Sequence, residues 1–162
     1  MIENGAIEDL MREDELGMVI RAHIHVEAQL IRLLEALVPY PESLDKMNLD
    51  YSQRVNLSIA MGLKPEQAPP LRALGSIRNR FAHRLDSSLN RSDVDNLYNA
   101  FSSDDKIIVQ QGFDRTNKQM SQDNKVKFKM LEPRDQFILM AVTLISMLEV
   151  AVSEVVAREN GA

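Results

Sequence analysis

Arg78, Asn79 and His83 stand in the run Ile77-Arg78-Asn79-Arg80-Phe81-Ala82-His83, an Arg and an Asn followed by three residues and a His. Arg carries a permanent charge on a planar fork of donors that matches phosphate oxygens, and His takes up or releases a proton near neutral pH. That pairing suits phosphodiester chemistry. RNA supplies its own nucleophile, the 2′-hydroxyl, so a base to remove its proton and a cation to steady the charged phosphorane suffice without a metal. In such a reaction His83 is the base or acid and Arg78 the phosphate clamp.

Helical spacing constrains these roles. Asn79 and His83, four apart, share a face, so the amide can hydrogen-bond the imidazole and fix its tautomer. Arg78 and His83, five apart, diverge by about 140° on an ideal helix. They converge only through the reach of the Arg side chain, a bent helix end, or a second copy of the motif across a two-fold axis. Between Leu71 and Arg91 five arginines (72, 78, 80, 84 and 91) stand against one acidic residue, Asp86, in a chain of net charge −5. Arg80 and Arg84, with Lys125, Lys127 and Lys129, are therefore the candidates to hold a single-stranded RNA backbone. Aromatic residues are 5% of the chain and Trp is absent, which excludes an extensive base-stacking platform. The same cations also fit a plainer reading, in which Arg and His near a helix C-terminus face its negative end and then water.

Other constellations carry less. His23 and His25 diverge by about 200° on a helix and cannot share an ion; His23 and Glu27 can, but two ligands without a third define no metal site. Glu27 falls on the apolar stripe between Ile20, Ile24 and Leu30, Leu34. A carboxylate there needs a partner, expected from an Arg of the helix that carries the motif. The six Gly make no phosphate loop, and Ser, His and Asp fall into no nucleophile-elbow pattern. The nine Met read as adaptable packing. No cofactor is expected.

With 162 residues, 44% apolar and 27% charged, the chain fits one globular domain over 1–162. Its net negative charge excludes a basic nucleic-acid coat, so any phosphate contact must be local. The lack of Cys excludes thiolate metal sites and Cys nucleophiles and fits a reducing compartment. The acidic residues Glu3, Glu8, Asp9, Glu13, Asp14 and Glu15 are the reverse of an export signal's basic start, so a cytoplasmic location is expected.

The elements that must position the motif are helices. Apolar residues from Leu16 to Val38 recur at three- and four-residue intervals, and Pro39 and Pro41 stop that helix. A second helix is predicted over about 51–61, opened by Asp50 or Ser52 and closed by Gly62. Pro69 and Pro70 open the third, which runs through Leu71, Leu74, Ile77, Phe81 and Leu85. A short helix with Ser92 as cap should hold Val94, Leu97, Tyr98 and Phe101, ending in a turn over 102–105. Residues 106–131 read as a small β-hairpin or flap, because Ile107 to Val109 is β-prone and Val126, Phe128 and Met130 alternate with lysines. Pro133 opens a last helix to about Ala157; its apolar run of about twelve residues is short of the roughly 20 that span a bilayer, which marks a core or dimer-interface helix. The expected fold class is an all-α, up-and-down bundle.

The Arg-x4-His pattern on a helix that follows a long amphipathic one resembles the HEPN superfamily of small helical proteins. The stretch from Gly17 to Phe101, with "YSQRVNLSIAMGL" and "LRALGSIRNRFAH", is also similar to the mannitol operon repressor family. The first resemblance implies a metal-independent, toxin- or defence-like ribonuclease, active as a homodimer with two motifs facing one cleft, and an antitoxin or other regulatory protein as partner. Where some toxin members carry a Tyr that a partner modifies, this chain has Leu85. The second resemblance implies a non-catalytic regulator of transcription. No helix-turn-helix, zinc finger or basic arm is evident, so such a regulator would act through protein contacts.

Overall fold

The computed structural model describes residues 4–84, 87–118 and 126–160. Their regular elements are all helices, without a strand among them: α1 (Asn4–Arg12), α2 (Glu15–Leu37), α3 (Glu42–Asp45), α4 (Tyr51–Ala60), α5 (Ala68–His83), α6 (Arg91–Ala100), α7 (Ser103–Lys118) and α8 (Pro133–Asn160). Short 3-10 turns lie at Pro65–Gln67 and Phe128–Met130. The all-α expectation holds.

Local chemistry sets the helix starts. Asp14 caps α2 by accepting from the Gly17 amide at 2.7 Å. Asp50 and Gln53 form a reciprocal capping box on α4, with bonds of 2.8 and 2.9 Å. After α4 the chain turns through Gly62 at φ +118°, a backbone angle that side-chain-bearing residues rarely adopt. Asn90, rather than Ser92, caps α6, again with a capping box closed by Asp93.

The two long helices, α2 and α8, pack along each other and carry much of the core: Met18, Val19, Val26, Leu30 and Leu33 against Phe137, Met140, Ala141, Leu144 and Leu148. Among the described residues α8 is the one helix long and apolar enough to cross a membrane. That differs from the short run read from sequence, yet Phe137, Met140, Leu144, Ile145 and Leu148 of this helix are buried inside the bundle, while Val150 and Val156 toward its end are exposed. The buried side of α2 is rotated from the simple apolar stripe, since His23 is 3% exposed whereas Leu16 and Ile24 are 49% and 56% exposed. Helix α1, not anticipated, buries Leu10 completely. Arg134 of α8 ties down its end by donating to the carbonyls of Leu10, Met11 and Glu13 at 3.5, 3.0 and 2.6 Å.

The hairpin or flap expected at 106–131 is not formed. Ser103–Lys118 is helical because Val109 and Phe113, four apart, both enter the core, while Ile107 and Ile108 remain exposed. Ser102 caps this helix through the Asp105 amide at 3.1 Å, so the expected 102–105 turn is largely helix start. Of the alternating Val126, Phe128 and Met130, Phe128 alone is buried, packed on Phe113 and Tyr98 at ring distances of 5.7 and 5.4 Å. One buried aromatic does not make a strand face. The connection around Lys125 lies outside the described residues.

Candidate functional site

Helix α5 buries Leu71, Leu74, Ile77 and Phe81, residues spaced three and four apart, and so turns its polar residues away from the core. Along one side of it, with α2 and α4, runs a cleft of about 540 Å³. Its lining includes His23 and Glu27 from α2, Tyr51 and Arg54 from α4, and Arg72, Gly75, Arg78 and Asn79 from α5.

The wall of the cleft is built around Tyr51. Its hydroxyl donates to the Leu71 carbonyl at 2.8 Å, and its ring lies against Gly75, where an added Cβ would sit 2.9 Å from Cε1. The same ring packs against the His23 imidazole, with centroids 4.3 Å apart and planes tilted by 43°. Burial first, and then the Glu27 carboxylate, raise the Tyr51 hydroxyl above its ordinary value, so it stays a neutral donor.

His23 is also neutral at ordinary pH. Burial lowers its pKa, the Arg78 charge lowers it further, and Glu27 only partly opposes them. Its Nδ1 lies 3.8 Å from Glu27 Oε2, too long for a hydrogen bond. The firm partner of Glu27 is Arg54, with Nη1 to Oε1 at 2.7 Å. The carboxylate on the apolar stripe does find a guanidinium, but from α4, one helix earlier than expected, because the 51–60 helix lies beside that stretch of α2. Among the described residues no cluster of three or more His, Asp or Glu could hold a metal.

The motif residues divide between two places. Arg78 and Asn79 line the cleft, joined by a hydrogen bond from Arg78 Nη1 to Asn79 Oδ1 at 2.9 Å. The amide oxygen thus steadies the guanidinium, and among the described residues no hydrogen bond links Asn79 to His83. His83 is exposed in the last turn of α5, and Arg84 is the exposed residue that follows. Neither lines this cleft. Arg80 pairs with Asp93 through Nη2 and Oδ2 at 2.6 Å and lies over the Phe81 ring at 5.4 Å, which staples α5 to the capping box of α6. Lys127 and Lys129 flank the buried Phe128 as exposed side chains.

The chemistry available at the cleft is anion recognition by guanidinium groups beside a neutral imidazole. Arg72 resembles Arg78 in being oriented by a neutral group, Nη2 to Asn56 Oδ1 at 2.8 Å. Among the described residues neither has a carboxylate at ion-pair distance. Sequence reasoning missed His23, Tyr51 and Arg54 as cleft residues. The available signals were the four-residue spacing of His23 and Glu27 and a Gly in the middle of a helix. Comparisons with protein-family models, with curated proteins and with solved structures find no match to this chain.

Proposed function

We propose that the chain is a metal-independent endoribonuclease acting on single-stranded RNA as a homodimer in the cytoplasm, with Arg78 as the phosphate clamp and His83 as acid or base. The observation that carries this reading is that Arg78 borders an open cleft while held by an amide oxygen rather than a carboxylate. Its charge is oriented but not neutralised, which is what a site for a phosphodiester requires. Asn79 positions Arg78. Because Arg78 and His83 diverge on one helix, His83 from a second copy completes the site. The 2′-hydroxyl gives its proton to an imidazole, the 2′-oxygen bonds to phosphorus as the bond to the 5′-oxygen breaks, and a 2′,3′-cyclic phosphate remains while the 5′-oxygen takes a proton.

The test is incubation of purified protein with RNA in EDTA, beside His83→Ala, Arg78→Ala and a substrate with 2′-deoxy at the cut position. Cleavage by the parent alone, blocked by the deoxy substitution, supports the reading. Equal cleavage by parent and His83→Ala rejects the role of His83.

A second reading, a non-catalytic regulator like the mannitol operon repressor family, draws on the exposed side chains of Met11 in α1 and Leu16 and Ile24 in α2, close in sequence to the acidic N-terminal residues. It requires no RNA turnover and a stoichiometric protein partner whose capture is unaffected by Arg78→Ala.

A further inference from the structure

Beside Arg78 the cleft between α2, α4 and α5 holds a second guanidinium, Arg72, that the clamp role does not use. Its two carboxylates are already engaged, Glu27 by Arg54 at 2.7 Å and Asp50 by the Gln53 amide at 2.8 Å. Arg72 and Arg78 have no carboxylate at ion-pair distance among the described residues, and each is held by a side-chain amide oxygen, of Asn56 and Asn79 respectively. Among the described residues neither ring nitrogen of the buried His23 has a hydrogen-bond partner. The volume, about 540 Å³, falls within the ~300–1,000 Å³ of small-ligand pockets, room for a phosphate together with the sugar that bears it.

We propose that this cleft is a binding subsite for a terminal phosphoryl dianion, held between Arg72 and Arg78 with the imidazole of His23 as a third donor. The proposal rests on the phosphate-handling part of the function above and not on strand cleavage. Two sources share this chemistry: the phosphorylated end of an RNA strand and a small phosphate ester.

Proton traffic gives the subsite a signature. The charged and titratable groups around His23 are Glu27 on its own helix, Tyr51 and Arg54 from α4 and Arg78 from α5. From α1 and α8 the ones that meet α2 on nearby turns are Asp9, 3.7 Å from His25, and Glu149, bonded to Gln29 at 3.4 Å. In the empty cleft burial and Arg78 keep the imidazole neutral. A bound dianion acts in the opposite sense, so His23 takes up a proton as the ligand enters.

The test is titration calorimetry of the full chain at pH 7 in two buffers of different ionisation heat. The probes are inorganic phosphate, adenosine 3′- and 5′-monophosphate, and RNA oligomers ending in a 3′-phosphate, a 5′-phosphate or hydroxyls. Binding of the phosphate-bearing probes with net proton uptake is expected. Arg72→Gln and Arg78→Gln should each weaken it about tenfold or more, as loss of a charge-assisted bond does, and Arg158→Gln, an exposed position in the last turn of α8 outside the cleft, should not. His23→Gln should remove the uptake and leave the net proton release that comes from the monoanionic fraction of the probe when its dianion is bound. Arg78→Lys, which keeps the charge, should retain part of the affinity and guards against a folding defect in Arg78→Gln. Preference for phosphorylated oligomers over mononucleotides identifies an RNA end, and the reverse identifies a small ester. No binding by any probe at millimolar concentration, or parental affinity in both arginine variants, overturns the proposal. Lost RNA turnover with phosphate binding kept would sink the nuclease and spare the subsite.

Discussion

Tyr51 occupies the space that a side chain on Gly75 would need, with Cε1 2.9 Å and Cδ1 3.1 Å from the position of an added Cβ. One helix of the cleft therefore seats its aromatic wall in a notch of the other. Gly75→Ala should push the ring outward, disturb its stacking on His23 and cost about 1–3 kcal/mol, as overpacked sites do. Tyr51→Phe keeps the ring and loses only the bond to the Leu71 carbonyl, for about 1 kcal/mol. Denaturant unfolding of both variants checks this. An Ala variant as stable as the parent would contradict the notch.

Acid should destabilise the protein through His23. Its folded-state pKa lies below the ordinary 6.5, so the unfolded chain binds the proton more readily. The stabilising contribution is full above about pH 6.5 and is lost as pH falls from there through the lowered folded-state value. His23→Gln should flatten that limb of the curve of stability against pH. An unchanged slope between pH 7 and 5 would show that His23 takes no part.

Arg80 should behave as a fastener rather than as an RNA contact. Arg80→Ala removes the 2.6 Å pair with Asp93 and the packing on Phe81, and leaves a carboxylate that still caps α6. A loss of about 1 kcal/mol is expected for a partly buried pair of this kind. Thermal unfolding measures the loss, and RNA affinity unchanged against a matched Arg84→Ala variant would separate the two arginines.

Helix α7 can be probed on its buried and exposed faces. Phe113→Ala empties a core position and should cost about 3–5 kcal/mol, whereas Ile107→Ser and Ile108→Ser alter exposed positions and should stay within about 0.5 kcal/mol. A β-hairpin would not share this pattern. Chemical denaturation of the three variants decides it.

Helix starts and stops were legible because they depend on local chemistry: Asp50 before Tyr51, Gly62 after the turn, Pro69 and Pro70 opening α5, and Pro133 opening α8. The 106–131 segment was misread because β-propensity at Ile107 to Val109 was overridden by tertiary burial of Val109 and Phe113. Alternation around Phe128 was likewise an accident of composition. At the site, Arg78 and Asn79 could be placed on one helix and their direct bond is local, but the capture of Glu27 by Arg54, 27 residues further on, depends on how α2 and α4 cross. Periodicity within one helix carries no information about that crossing. His23 shows the same limit, since it is the immediate neighbour of the exposed Ile24 and faces inward in its place.

The fan of three bonds from Arg134 to carbonyls at and just past the end of α1 means that this helix behaves as a latch and not as a tail. Trimming the chain before Glu15 would expose the seat of Leu10 on the bundle and strand a guanidinium at the head of its longest helix. A shortened protein would then open from that end.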